Sequence, residues 1–219
     1  MAEERIEAAC RRSGRSRDEI RLIAVTKYVD AEGAAALLRC GIKHLGENRW
    51  QQARPKLETI GDAAVWHFIG HLQTNKVKDI IGKFSYIHSL DRPALLQELQ
   101  RRAELADTRV NAFIQVNVSG EETKYGLHPE QLFDFARLAA GCDRVRVVGL
   151  MTMAPFAEDP ELARPVFRGL RELRDELNER ALLPEPAEHL SMGMSGDFEV
   201  AVEEGATWLR LGSVLIGKH

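Results

Sequence analysis

The feature that most restricts what this chain can fold into is an alternation. Short apolar, β-branched runs bounded by turn residues give way to helical periods and then return, eight times over. The runs occupy 20–27 (IRLIAVTK), 43–47 (KHLGE), 66–70 (WHFIG), 85–90 (SYIHSL), 110–118 (VNAFIQVNV), 146–153 (RVVGLMTM), 188–193 (EHLSMG) and 207–212 (TWLRLG). Several carry apolar residues on both faces, as strands covered on both sides must. Between them, 30–40 is rich in alanine and leucine and stops at Gly41, a residue type that ends helices. Asp91 is placed to cap the helix in DRPALLQELQRRAEL, since a carboxylate there accepts free backbone N–H groups. Val166, Leu170, Leu173 and Leu177 form one stripe at helical spacing and read as core packing.

Eight β/α pairs without a composition break predict an α/β fold. It is a single (β/α)8 barrel of the TIM type spanning 1–219, with an extra helix at the N-terminus. Alternation by itself leaves an open doubly wound sheet as the rival, although no GxGxxG follows the first strand. The 30 Lys+Arg against 33 Asp+Glu give a net charge of -3, so bulk electrostatics point to neither nucleic acid nor an anionic membrane. Cys10, Cys40 and Cys142 are far apart and form no CxxC. Neither a disulfide framework nor a zinc site is expected, and a reducing, cytoplasmic setting fits. The opening MAEERIEAACRRSGRS has no apolar signal core, and no apolar run is long enough to span a bilayer.

The first strand ends on an ammonium. Ile23, Val25 and Lys27 share one face. If that face points inward, Lys27 stands in the C-terminal mouth of the barrel, where such folds place their chemistry. A partly desolvated lysine loses its proton more readily, and the neutral amine attacks aldehydes to form a Schiff base. The plainer alternative is a strand-end lysine that reaches solvent. At the other end of the chain, SMGMSGD (191–197) and RLGSVLIG (210–217) are two strand–loop–helix junctions. There Ser195 is placed to cap a helix, and the amides and hydroxyl of Gly212 and Ser213 are offered to an anion. They follow the seventh and eighth strands, the usual phosphate position in barrels. On TWLRLG, Leu209 and Leu211 face one way and Trp208, Arg210 and Gly212 the other. Leucines packed on helices put Arg210 inside. There it either pairs with a carboxylate or donates to an aromatic ring nitrogen.

The segments AVTK, HLGENRWQ, WHFIGHLQTNK, VNVSGEETKYGL, GLMTMAP and LSMGMSGDFEVAVEEGATWLRLGSVLIG run in order through nearly the whole chain. Together they resemble the pyridoxal 5'-phosphate homeostasis protein family. The resemblance implies a barrel like the alanine racemase N-terminal domain, with pyridoxal 5'-phosphate as cofactor and Lys27 carrying it as an internal aldimine. It implies that Asn48 lies against the cofactor ring, that His67 lines the same pocket and that Arg210 meets the pyridine nitrogen. It also implies that Ser191, Ser195, Gly212 and Ser213 surround the phosphate, with Ser195 the favoured contact of the first two. Ser213 stands where many relatives have threonine, and the chain stops at IGKH where many continue. From the residues themselves, Asn48 also suits a helix cap, and His67 in an apolar strand suits a hydrogen-bonded core position. His71, His88 and His189 have no ligand-spaced companions and are not read as metal ligands. Lys76 and Lys124 are read as solvated loop lysines.

An arginine at the ring nitrogen leaves the ring a weak electron sink. A racemase also needs a second acid/base group on the opposite face. In the resembled racemases a further C-terminal domain and a partner chain supply it, and the sequence leaves no room for that domain. The expected function is therefore a non-catalytic, monomeric holder of the cofactor, with apo pyridoxal-phosphate enzymes as candidate recipients. The alternatives are a minimal amino-acid racemase and a lysine Schiff-base aldolase acting on a sugar phosphate.

Overall fold

In chain order the strands are β1 (Arg21–Val25), β2 (His44–Glu47), β3 (Val65–Phe68), β4 (Tyr86–Leu90), β5 (Val110–Gln115), β6 (Val145–Met151), β7 (His189–Ser191) and β8 (Trp208–Leu211). Each pairs in parallel with the next, and β8 returns to β1 with Ile23 opposite Arg210 and Ala24 opposite Leu211. The sheet is therefore a closed barrel, and the open doubly wound alternative is excluded. This structure is a computed structural model describing residues 2–217. Met1, Lys218 and His219, and with them the last two residues of the IGKH ending, lie outside the described residues.

Among the described residues the helices are α1 (Ala2–Ser13), α2 (Ala31–Arg39), α3 (Trp50–Ile60), α4 (Val77–Ile80), α5 (Pro93–Leu105), α6 (Leu132–Ala140), α7 (Arg164–Glu179), α8 (Phe198–Glu203) and α9 (Ser213–Ile216). The extra N-terminal helix, α1, is clasped to α8. Arg5 donates to Glu199 at 2.7 Å and Arg12 to Glu203 at 2.6 Å. Helix α2 begins at Asp30, whose Oδ1 accepts from Gly33 N at 2.8 Å, and the chain leaves it through Gly41 at φ +88°. On α7, Val166, Leu170 and Leu177 are buried, and Leu173 packs against the same core. No helix among the described residues is long and apolar enough to cross a membrane.

The alternating pattern sorts the core into two shells. Ala24, Leu45, Leu209 and Leu211 point outward into the layer between strands and helices. Ile23, Phe113, Val148, Met151 and Trp208 fill the barrel itself, as the inward and outward positions of a closed sheet require.

Four local expectations are corrected. The strands are shorter than the apolar runs that announced them. Thus β1 ends at Val25, and Lys27 stands two residues beyond it on the rim. Asp91 does not cap α5. The cap position is Arg92 with Pro93 in the first turn, and proline presets that start. The Asp91 carboxylate accepts from Arg92 Nη1 instead. Nor does Ser195 cap α8, whose cap position is Asp197. The Ser195 hydroxyl turns to the β8–α9 junction. Asn48 likewise precedes the cap position of α3, which is Arg49.

Candidate functional site

At the C-terminal ends of the strands the loops surround a cavity of about 540 Å³, within the range that holds cofactor-sized ligands. Its walls come from the end of β1 (Val25, Lys27, Tyr28), the β6–α7 loop (Pro155, Phe156), the β7–α8 loop (Met194, Ser195, Asp197) and the β8–α9 junction (Arg210, Gly212, Ser213). Lys27 is half-buried, and its Nζ stands 4.7 Å from the centroid of the Tyr28 ring. Tyr28 at 71% and Phe156 at 95% exposure leave apolar rings at the entrance.

The wall at the last two loops is built largely from backbone. Ser195 Oγ accepts from Gly212 N at 3.2 Å and from Val214 N at 3.3 Å, so one hydroxyl gathers the two amides that open the last helical turn. The β7–α8 loop can deliver it there because Gly193 takes φ +93°, a left-handed conformation that glycine adopts freely. A Cβ at Gly193 would also stand 2.6 Å from Ala201 Cβ. The loop is fastened by Asp197 Oδ1, which accepts from Met194 N at 2.6 Å. Burial pushes the Asp197 carboxyl up, opposed by that backbone bond and by the charge of Arg210.

Arg210 forms the floor. It is 4% exposed, donates through Nη1 to Ser191 Oγ at 2.6 Å and through Nη2 to the Thr152 carbonyl at 2.8 Å. Burial pulls its guanidinium down to about 10, partly offset by Asp197. A buried cation at this point suits an acceptor atom entering the cavity.

Beneath the first strand end lies a buried ion pair. Lys56 Nζ contacts Glu47 Oε1 at 2.6 Å and donates to the Thr26 carbonyl, while the Thr26 hydroxyl donates to the same Glu47 oxygen. The residue before Lys27 is thus held at both its carbonyl and its side chain.

The structure therefore brings together Lys27, Ser195, Arg210, Gly212 and Ser213 around one cavity. It places three other expected residues elsewhere. His67 is fully buried between His44 and His88, inside the barrel rather than on the cavity wall. Ser191 is also fully buried and meets Arg210 and His88. Asn48 does not line the cavity, and its backbone packs so closely on Gly70 that a Cβ there would stand 2.3 Å from Asn48 O. Lys76 stands 3.9 Å from Asp79 at the start of α4, and Lys124 4.0 Å from Glu121 on its own loop. Sequence reasoning missed Asp197 and the Glu47–Lys56 pair. A glutamate at the end of an apolar strand was the available signal for the pair, since such a group needs a buried partner.

A rim lysine, a serine-gathered turn on the last two loops and a buried arginine on a closed eight-stranded barrel define a class. The family model described as the alanine racemase N-terminal domain matches residues 3–219. Among solved structures, alanine racemase of Clostridium difficile aligns over 99% of this chain and 55% of its own, with a TM-score of 0.81 at 14% identity, a likeness of fold. A second group is nearer in sequence. The pyridoxal phosphate homeostasis protein of Aquifex aeolicus is 49% identical over 99% of this chain and 94% of its own length. The protein of that name from Pseudomonas aeruginosa is 36% identical over 97% and 90%. PipY of Synechococcus elongatus, solved with PLP bound, aligns with a TM-score of 0.85 and 32% identity over 99% of this chain and all of its own. The chain belongs to the pyridoxal phosphate homeostasis protein family.

Proposed function

We propose that this chain binds pyridoxal 5'-phosphate covalently through Lys27 and works as a carrier of that cofactor, without strong catalysis of its own. The observation that carries the reading is the convergence on one cavity of a rim amine (Lys27), an anion cradle (Ser195, Gly212, Ser213) and a buried cation on the floor (Arg210). These residues fit the group: an amine for its aldehyde, N–H and O–H donors for its phosphate, and a guanidinium for its ring nitrogen. The names of the relatives and the PLP-bound PipY support the choice of ligand.

When bound, the cofactor supplies an aldehyde carbon that a primary amine attacks reversibly. The rest belongs to the chain. Lys27 Nζ is the amine this chain would offer, from a position fixed by Thr26, Glu47 and Lys56. The hydroxyls of Ser195 and Ser213 face the anion, and the Gly212 and Val214 amides, which donate to Ser195 Oγ, hold that hydroxyl in place. Arg210 would meet the ring nitrogen from the floor as a donor, because a guanidinium donates and does not accept.

The binder reading rests on how the other ionisable groups of the lining are engaged. Asp197 Oδ1 accepts from Met194 N and Asp159 Oδ1 accepts from Glu161 N, so both carboxylates of the lining are tied to their own loops. A racemase needs a free acid/base group across the ring from its lysine. We read the chain as a cytoplasmic monomer that hands the cofactor to apo-enzymes. The test is α-proton exchange: loaded protein incubated with alanine in D2O shows no exchange above the buffer blank. Exchange that disappears in Lys27→Ala would overturn the non-catalytic reading.

A further inference from the structure

A row of hydrogen bonds crosses the barrel interior, behind the groups that line the cavity. His44 Nδ1 lies 3.0 Å from His67 Nε2, His67 Nδ1 lies 2.9 Å from His88 Nε2, and His88 Nδ1 lies 2.8 Å from Ser191 Oγ. Ser191 Oγ in turn accepts from Arg210 Nη1 at 2.6 Å. His67, His88 and Ser191 are fully buried. His44 is half-buried at the first residue of β2, so the row runs from the cavity floor to the opposite, N-terminal mouth of the barrel.

Counting donors gives the row a direction. Arg210 can only donate, so Ser191 Oγ accepts from it. Ser191 has one hydrogen, and among the described residues His88 Nδ1 is the other partner of its Oγ. A hydrogen on His88 Nδ1 would leave the Ser191 hydroxyl buried without an acceptor, which folded proteins avoid. Ser191 therefore donates to His88 Nδ1. His88 then carries its hydrogen on Nε2 and donates to His67 Nδ1. His67 repeats the step to His44 Nδ1, and His44 Nε2–H is left at the half-exposed end. All three rings share one tautomer, and the negative end of each ring dipole faces Arg210.

This arrangement meets a need. Arg210 is buried and makes no ion pair within 4 Å among the described residues, and Asp197 is held by Met194 N. A buried cation without a carboxylate in contact has to be stabilised by oriented dipoles. The rings are neutral, as such a row requires. Burial holds His67 and His88 well below the usual histidine range, and the charge of Arg210 adds to this at His88. Burial also lowers His44, with Arg21 and Lys43 adding to it.

We propose that His88, His67 and His44 are positioning residues, a one-way relay in the Nε2–H tautomer throughout, which through Ser191 keeps Arg210 charged and aimed at the cavity. The relay is read without the cofactor. Only its consequence for the bound spectrum rests on the reading of Arg210 given above.

The first test is nitrogen-resolved NMR of the imidazoles in 15N-histidine-labelled full-length protein with no ligand added, at neutral pH. His67 and His88 are expected to show a protonated Nε2 and a bare Nδ1. An Nδ1–H tautomer or a charged ring at either position overturns the proposal. Ser191→Ala removes the donor to His88 Nδ1 and should move that nitrogen's resonance, and an unchanged His88 Nδ1 resonance also overturns it. A second test uses pyridoxal-phosphate-loaded protein. Asparagine can present an oxygen near the place of His88 Nδ1, so His88→Asn should keep the wild-type visible band while His88→Leu shifts it. The same band in both variants breaks the link to Arg210. If the wild-type protein does not take up the cofactor at all, the cofactor reading falls while the NMR result still decides the relay.

Discussion

Lys56 Nζ lies 2.6 Å from Glu47 Oε1, and the two residues are 3% and 0% exposed. The other carboxylate oxygen, Glu47 Oε2, is buried without a hydrogen-bond partner among the described residues. Removing the ammonium strands a buried anion. Lys56→Met is therefore expected to lower folding stability by about 3–5 kcal/mol, and adding Glu47→Leu should recover most of that loss. Urea denaturation measures both. A single-mutant loss below about 1 kcal/mol would show that the pair does not hold the β1 end in place.

The Ser195 hydroxyl gathers Gly212 N and Val214 N, and Ser213 opens the same turn. Ser195→Ala combined with Ser213→Ala is expected to speed pyridoxal-phosphate release about 10- to 100-fold, the worth of about 1.5–3 kcal/mol in hydrogen bonds to a charged group. Stopped-flow displacement reads the rate. Retention equal to wild type would refute the phosphate assignment.

Arg210→Glu replaces a buried donor with an acceptor that also repels Asp197. The bound cofactor's visible band should move and its retention should weaken, because a carboxyl group can place a proton on the ring nitrogen where a guanidinium cannot. An absorption spectrum with a dialysis time course checks both. An unchanged band would remove Arg210 from the ring.

Stability should fall with acid in two separate windows. His44, His67, His88 and His189 are all held below the usual histidine value by burial. Below about pH 6.5 the unfolded chain takes up protons that the native chain refuses, so stability is complete above that pH and declines beneath it. The slope is up to about 1.4 kcal/mol per pH unit for each ring that stays neutral. Glu98 is different: Arg101 and Arg102 hold its carboxyl at about 2. Its contribution is present above the ordinary carboxylate value and is lost only as pH falls from there toward 2. Urea midpoints at about pH 7.5, 6 and 5 isolate the histidines. His88→Gln should flatten the decline, and a midpoint constant from about pH 7.5 to 5 would contradict the neutral rings.

Much of this was legible in one dimension. Runs apolar on both faces signal strands covered on both sides, and parity along two of them puts Lys27 and Arg210 on inward faces. Parity does not give depth. Ser191 and Arg210 both face inward, yet only Arg210 reaches the cavity, because depth along the axis follows from registers such as Met151 opposite Ser191 and Ile23 opposite Arg210. His67, also buried, lies below the cavity lining for the same reason. Caps were misread at Asp91 and Ser195 because a cap depends on the residue at which the helix begins, and Pro93 and the Asp197 turn move that start. The Glu47–Lys56 pair joins a strand end to a neighbouring helix, and nothing in a nine-residue spacing shows that the two will be buried together.

The most direct measurement is borohydride reduction of the protein saturated with pyridoxal 5'-phosphate, followed by peptide mass mapping. The account predicts one reduced pyridoxyl group, on Lys27, and none in Lys27→Ala. A group fixed on Lys56, Lys76 or Lys124, or no covalent product with the site occupied, would contradict it.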